Sequence, residues 1–187
     1  MTRTRADALR NRQAVLDGAL HLFRTDPAAT VAQVATAAGV GRVTLYGHFA
    51  TRDDLVEAAL AEAMSRVARA VAALDLGDDP AAALDRLVAG SWQLLADGYG
   101  AVEAACRVLP AARVGAHHDA VLDTLRAVLD RGRAAGAFRT DLPRDWLVAC
   151  VSALVHEAGA RVALGEVGTS DAGRYLSASV AALVAPR

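Results

Sequence analysis

Apolar residues recur along the chain with the spacing of helices. Leu16, Leu20 and Phe23 stand four and three residues apart, on one face of a first helix that Asp26-Pro27 ends. Further stripes predict helices over 31–38, 42–49, 51–74, 81–97, 102–109, 119–135, 143–164 and 171–184. No run alternates as a strand would. The pattern therefore predicts an all-α fold of about nine helices.

Composition supports a helical core, and charge is distributed unevenly along the chain. Apolar residues make up 54% of the 187 residues but aromatic residues only 4%, so the core must consist of Ala, Leu and Val. The formal net charge is −1, yet residues 1–52 carry +4 and the remainder −5. The seven basic residues of the first part are Arg3, Arg5, Arg10, Arg12, Arg24, Arg42 and Arg52. A basic end on an acidic body favours contact with phosphate at that end.

Several classes of protein find no support in the sequence. Cys106 and Cys150 form neither a disulfide framework nor a metal-ligand spacing. The first residues lack the apolar stretch of a signal peptide, and the longest apolar run, 146–155, falls short of the ~20 residues that span a bilayer. We therefore expect a cytoplasmic protein with no membrane contact, no cofactor and no metal.

The most informative stretch is residues 30–55, TVAQVATAAGVGRVTLYGHFATRDDL. Thr30 with Gln33 forms a capping box, and two short helices flank the glycine-containing turn at 39–41. Ala35 and Ala38 are small enough for the steep crossing of a helix-turn-helix. Leu45 and Phe49 would anchor the second helix in the core. Its other face has no acid and offers groups suited to phosphates and base edges: Arg42, Val43, Thr44, Tyr46, Gly47 and His48.

This stretch resembles the tetracycline-repressor (TetR) family. The family pattern is matched at Ala35, Ala38, Gly39, Val40, Thr44, Leu45, Tyr46, His48, Phe49, Arg52 and Leu55. The match covers roughly the first quarter of the chain. The resemblance implies that Thr30, Thr44, Tyr46, His48 and Arg52 contact the DNA backbone, whereas Arg42 and Val43 point at base edges.

Three positions depart from the family pattern. Gly41 replaces the usual Ser before the second helix, Val43 replaces a common Gly, and Gly47 stands where a basic residue is frequent. These changes affect the expected affinity and target sequence of the DNA contact more than the fold.

The resemblance also implies the role of the remaining chain. Residues 1–52 would form the DNA-binding domain and residues 53–187 a larger ligand-binding and dimerisation domain. The last two helices would build a four-helix interface in a homodimer, with Val151, Val155, Ala158, Val162, Ala178 and Ala181 as interface candidates. The expected function is a repressor that binds a palindromic double-stranded DNA operator and is released by a small, mostly apolar effector.

Few large or polar residues interrupt the apolar helices of this body. The candidates for effector contact are Trp92, Tyr99, Cys106, Phe138, Trp146 and His156, although core packing or the dimer interface explains several of them equally well. An alternative is a helical enzyme or metal-dependent protein that uses Cys106, His117, His118, His156 and Glu157. No catalytic or metal-binding spacing supports it, so we expect no enzyme activity.

Overall fold

The computed structural model describes residues 5–187; residues 1–4, with Arg3 among them, lie outside the described part. Every regular element in 5–187 is a helix. In chain order the helices are α1 Arg5–Phe23, α2 Val31–Ala37, α3 Arg42–Tyr46, α4 Arg52–Ala72, α5 Pro80–Cys106, α6 Ala111–Ala116, α7 Asp119–Ala134, α8 Arg144–Ala163 and α9 Thr169–Val184. The predicted all-α class is confirmed.

The helix boundaries correct the sequence prediction in two places. The predicted break around Gly100 does not exist, and α5 is one helix of 27 residues. The short helix α6 was not predicted; it begins after Pro110 without a side-chain cap. The other helices end within three residues of their predicted limits, which is the usual uncertainty of frayed ends.

The described chain divides into two compact units. The first contains the residues up to Ala63 together with Gly100–His117, and the second contains Met64–Tyr99 together with His118–Arg187. Helices α4 and α5 contribute residues to both units.

The first unit is built on close contacts between small residues. A Cβ at Gly18 of α1 would lie 3.1–3.3 Å from Ala38, so these two positions bring α1 close to the end of α2. Gly100 of α5 lies against the backbone of Phe23 so closely that a Cβ would overlap the Phe23 carbonyl group. The segment 100–117 is therefore fitted against the end of α1.

Ion pairs fasten α6 to α4 within this unit. Arg113 donates from Nε to Glu57 Oε1 at 3.0 Å and also pairs with Oε2, and His117 Nε2 lies 3.4 Å from Oε1. The Glu57 side chain is only 23% exposed. The sequence analysis did not anticipate this cluster, because its members lie 56 and 60 positions apart.

In the second unit, large side chains rest on glycines of neighbouring helices. A Cβ at Gly173 would lie 2.6 Å from the Trp92 ring, and one at Gly159 would lie 2.7 Å from the Tyr99 ring. The Phe138 ring occupies the space where a Cβ at Gly132 would stand. We call these three glycines the ring seats. They let a core otherwise made of small aliphatic residues accommodate its few rings.

Arg139 connects the turn after α7 to the end of α9. Its backbone N–H donates to the Val184 carbonyl at 2.9 Å, and its guanidinium donates to the Leu183 carbonyl at 3.3 Å and to both oxygens of Asp141 at 2.8 and 2.7 Å. Hydrogen bonds from Arg139 lower the pKa of the Asp141 carboxyl from 3.8 to about 2.

We expect this ion pair to make stability depend on pH. Because the folded state lowers the pKa of Asp141, its contribution to stability is present in full above pH ~4 and is lost as pH falls toward about 2. Asp141→Asn should be less stable than the wild type at pH 5, and the difference should close between pH 4 and 2. Urea unfolding across this range measures it. Asp78→Asn, at an exposed position, is the control; an equal pH dependence in both variants would contradict the assignment.

Helix α8 is long and apolar. It alone in 5–187 is long and apolar enough to cross a membrane by length and composition, and 22% of its apolar window is buried. Since core helices of soluble proteins pass the same test, this is weak evidence for a membrane span. It does show that much apolar surface of α8 is uncovered in the single chain.

Candidate nucleic-acid interface and ligand grooves

The helix-turn-helix is shaped by its caps and its turn. Thr30 Oγ1 accepts a hydrogen bond from the Gln33 N–H at 3.3 Å, and Gln33 Oε1 accepts from the Thr30 N–H at 2.8 Å, which confirms the predicted capping box. Gly39 takes φ +65°, a left-handed conformation that glycine adopts without strain, and so turns the chain toward α3. Gly41 caps α3 in an extended conformation and supplies no side-chain hydrogen bond.

The recognition helix α3 has one buried and one exposed face. Leu45 and Phe49 are buried, as predicted, and the guanidinium of Arg12 lies 5.4 Å from the centre of the Phe49 ring. On the opposite face Val43 is 89% exposed and Tyr46 is 51% exposed. Both side chains are therefore available for contact with a partner.

The remaining DNA candidates on α3 differ in exposure. Arg42 is exposed, whereas Thr44 and His48 are half-buried. The face around Val43 therefore combines a guanidinium, a hydroxyl, a phenol and an imidazole without any carboxylate. This arrangement can donate hydrogen bonds to phosphate oxygens and base edges.

Two other DNA candidates already have partners within the unit. The Thr30 hydroxyl lies 2.7 Å from Gln33 Oε1. Arg52 donates to the carbonyl oxygens of Ala29 at 3.3 Å and Pro27 at 3.0 Å. Arg52 thus holds the turn between α1 and α2, a role that the sequence analysis did not assign to it.

Replacing Arg52 should separate this structural role from contact with phosphate. Arg52→Lys keeps the charge but loses the fork that reaches two carbonyls, so we expect the free energy of unfolding to fall by about 1–2 kcal/mol in urea titration. Arg42→Lys, at an exposed site, is the matched control and should leave stability unchanged. Unchanged stability of Arg52→Lys with weakened DNA binding would instead indicate that Arg52 acts on phosphate alone.

Two grooves border α5 and α9 in the second unit. One, of about 230 Å³, has an apolar lining that includes Phe138. The other, of about 540 Å³, is lined by Trp92 and by polar residues of α5 and α9. Asp85 and Ser177 line both grooves. The sequence analysis missed Asp85, whose only signal is an acid beside the apolar stripe of α5.

The six effector candidates do not come together at one place. Trp92 and Phe138 border the two grooves. Tyr99 is half-buried over its ring seat, and Cys106 is exposed. Trp146 is 59% exposed. His156 is exposed, with Nδ1 2.7 Å from the Ser152 carbonyl oxygen.

The six interface candidates also lie in different surroundings. Val151 is buried within the chain itself. The half-buried candidates are Val155, Ala158 and Val162, and the exposed ones are Ala178 and Ala181. Ala158 lines a hollow of about 200 Å³ between α8 and α9, whereas Ala181 lines the apolar groove beside α5.

The residues of the enzyme alternative have other neighbours. His118 and His156 have ring centres 6.0 Å apart, and Glu157 is paired with Arg161 at 2.7 Å. In the part of the chain that the structure describes, no three His, Cys, Asp or Glu side chains converge as metal ligands would.

Comparison with known proteins relates these features to a family. Residues 15–59 match the family model described as bacterial regulatory proteins, tetR family. No curated protein matches the chain in sequence.

Solved structures share the fold along nearly the whole chain. A TetR family transcription regulator from Marinobacter aquaeolei VT8 has a TM-score of 0.76 and 18% identity, covering 98% of this chain and 100% of its own. LfrR from Mycobacterium smegmatis, in complex with proflavine, gives 0.74 and 24% over 94% and 97%. FadR from Bacillus subtilis, in complex with stearoyl-CoA, gives 0.73 and 17% over 92% and 97%. Residues 15–59 thus match a family of bacterial regulatory proteins, and the chain as a whole shares the fold of solved TetR-family regulators.

Proposed function

We propose that this protein is a cytoplasmic, homodimeric transcriptional repressor that binds a palindromic operator and is released by a small, mostly apolar effector. Residues 1–52 would read DNA, and residues 53–187 would bind the effector and dimerise. The observation that carries the proposal is the exposed, acid-free face of α3 on a helix anchored by Leu45 and Phe49. The family favours this role over the enzyme alternative.

DNA contact follows from the chemistry of that face. Thr44, Tyr46 and His48 would donate to phosphate oxygens, and Arg42 and Val43 would reach base edges in the major groove. Thr30 and Arg52 would add contacts to the DNA backbone. For these they would use the hydrogen-bonding capacity that their bonds within the chain do not occupy. A guanidinium has five N–H donors, and two of those of Arg52 are used within the unit.

Dimerisation would cover the apolar surface of α8 and α9. Leu164 is 70% exposed and Tyr175 is 56% exposed at this face, and the hollow between the two helices is lined by Ala158, Leu176 and other residues. A second copy that packs here would bury this surface. Two recognition helices are required to enter successive major grooves ~34–36 Å apart, and a twofold dimer provides them.

The effector would act by favouring a conformation whose recognition helices no longer match that spacing. Two of the three solved structures described above, LfrR and FadR, are complexes with proflavine and stearoyl-CoA, ligands with large apolar parts. The described core of the second unit is likewise apolar, with Ser91 its single buried polar residue.

Selection of genomic DNA fragments by the purified protein tests the proposal. We expect enrichment of a palindromic site, affinity that falls steeply between 50 and 200 mM salt, and a dimer by analytical ultracentrifugation, free and on DNA. A monomer in solution, or binding without sequence preference at all salt concentrations, would refute the repressor.

Val43 should contribute an apolar contact to sequence recognition. Its exposed side chain suits the methyl group of a thymine, and burying one methyl is worth about 0.8 kcal/mol, or about fourfold in affinity. Replacing thymines of the selected site one at a time by deoxyuridine should weaken binding at one position of each half-site. Val43→Ala should remove this sensitivity. Equal sensitivity in the variant would show that another residue contacts the methyl group.

A further inference from the structure

The two grooves beside α5 and α9 adjoin each other, and we call them together the α5–α9 groove. Asp85 on α5 and Ser177 on α9 line both parts, so the parts join at these residues. Along α5 the lining extends from Ala81 to Gln93, about 18 Å at the helical rise. The groove is thus elongated along α5, and the larger of its two parts, about 540 Å³, is of the size that takes small ligands.

The apolar half of the groove has a continuous hydrocarbon floor. Leu84, Val88, Phe138 and Val180 line it, and each is at least 93% buried. The small side chains that line this half leave the floor open: Ala81, Ala137, Ala181 and Ala185. An alkyl or aromatic body in the groove would cover the apolar surface that these residues leave accessible.

The junction of the two halves carries an unbalanced negative charge. Asp85 is exposed, and within residues 5–187 its carboxylate has no hydrogen-bonding or ionic partner. The one basic residue of the lining, Arg174, is paired with Asp171 at 2.6 Å. A ligand at the junction therefore meets the field of a free carboxylate.

The polar half is rigidly held at its base. Trp92 is buried, and its indole Nε1 donates to the Thr169 carbonyl oxygen at 2.7 Å. Gly173 lies directly against the indole ring. Trp92 therefore forms a held aromatic wall at the base of the polar half.

From these observations we propose that the α5–α9 groove binds a linear organic cation, with its apolar body on the Leu84–Val180 floor and its cationic group at Asp85. Binding itself is independent of DNA; a role for this ligand as the effector rests on the proposed function. The site would take amines or quaternary ammonium compounds with an alkyl or aryl chain, and would discriminate against anions of the same shape.

The test uses Trp92 as its own reporter. The chain has two tryptophans, and Trp146→Phe leaves Trp92 as the only one. Octyltrimethylammonium, titrated below its micelle concentration, should change the Trp92 emission saturably, whereas octyl sulfate and neutral octyl glucoside should bind at least threefold more weakly. Equal binding of all three would overturn the assignment to a cation.

Variants locate the site. In the same background, Asp85→Asn should weaken octyltrimethylammonium binding about two- to fivefold and leave octyl glucoside unchanged. Asp123→Asn on α7 removes the same charge outside the groove and should have no effect. Ser177→Leu fills the junction and should abolish binding, with its folding verified by circular dichroism and thermal unfolding.

Unaltered affinity in Asp85→Asn, or in a folded Ser177→Leu, would overturn the proposal. Because the titration contains no DNA, a negative result in it does not contradict the proposed repressor function. A negative result in the DNA selection likewise does not contradict ligand binding in the groove.

Discussion

Replacing Gly100 by Ala should lower the free energy of unfolding by about 2 kcal/mol, although alanine is the better helix former. Helix propensity alone favours the substitution by about 1 kcal/mol, since Gly100 lies inside the continuous helix α5. The packing opposes it, because the new Cβ would overlap the Phe23 carbonyl group, which is backbone and cannot rotate away. Overpacking of this kind costs 1–3 kcal/mol or more, so the steric term decides the sign.

Urea unfolding of the purified protein measures this effect. Gly115→Ala on α6 is the matched control, because apart from its chain neighbours and its own helix backbone no described atom lies within 4 Å of its Cβ position; we expect it to be neutral or slightly stabilising. If Gly100→Ala unfolds like the wild type, α5 moves away from α1 at little cost, and the close approach is not a constraint on the fold.

Removing the Arg42 side chain should weaken operator binding about 10- to 100-fold. Arg42 is exposed at the start of α3, beside the protruding Val43, and an arginine that contacts a base edge contributes about 1–3 kcal/mol of discrimination. The free energy of unfolding should not change, because the Arg42 side chain is exposed. Fluorescence anisotropy with the selected operator gives the dissociation constant.

The pattern of loss distinguishes the kind of contact. A base contact predicts relaxed preference at one position of each half-site, whereas a phosphate contact predicts uniform weakening and a salt slope smaller by about one. Arg126→Ala on α7 removes the same charge from the other unit and should leave binding unchanged. Equal loss in both variants would show that Arg42 acts only through net charge.

The local features of the DNA-binding unit were predictable because their causes are local. Capping boxes depend on residues three apart; the one predicted at Thr30 is present, and Thr51 forms a second with Asp54. The burial of Leu45 and Phe49 follows from their spacing on a helix of known direction.

The predicted helix boundaries were wrong where contacts between residues far apart in the sequence override local preference. Gly100 indicated a break, yet the helix continues, and Gly100 instead packs against Phe23, 77 residues earlier in the chain. Helix α6 has six residues and no capping side chain, so it gave no periodic signal. Its pairing with Glu57 depends on tertiary contacts that no spacing in the sequence encodes.

The candidate sites divide in the same way. The exposed face of α3 could be read from a short stretch, since its residues share one helix. The α5–α9 groove could not, because Asp85 and Ser177 meet only when two helices 63 or more positions apart are packed together. Arg52 was predicted as a DNA contact, and only the structure shows its bonds to the Pro27 and Ala29 carbonyls.

The ring seats have a consequence for how this sequence can change over time. Many helix positions here are alanine or other small residues, and surface sites of that kind tolerate many replacements. Gly132, Gly159 and Gly173 would each tolerate even a methyl group poorly unless the facing ring shrinks at the same step. Substitutions at each seat and its ring should therefore occur in pairs, and libraries that replace helical glycines by alanine to raise stability should omit these three positions.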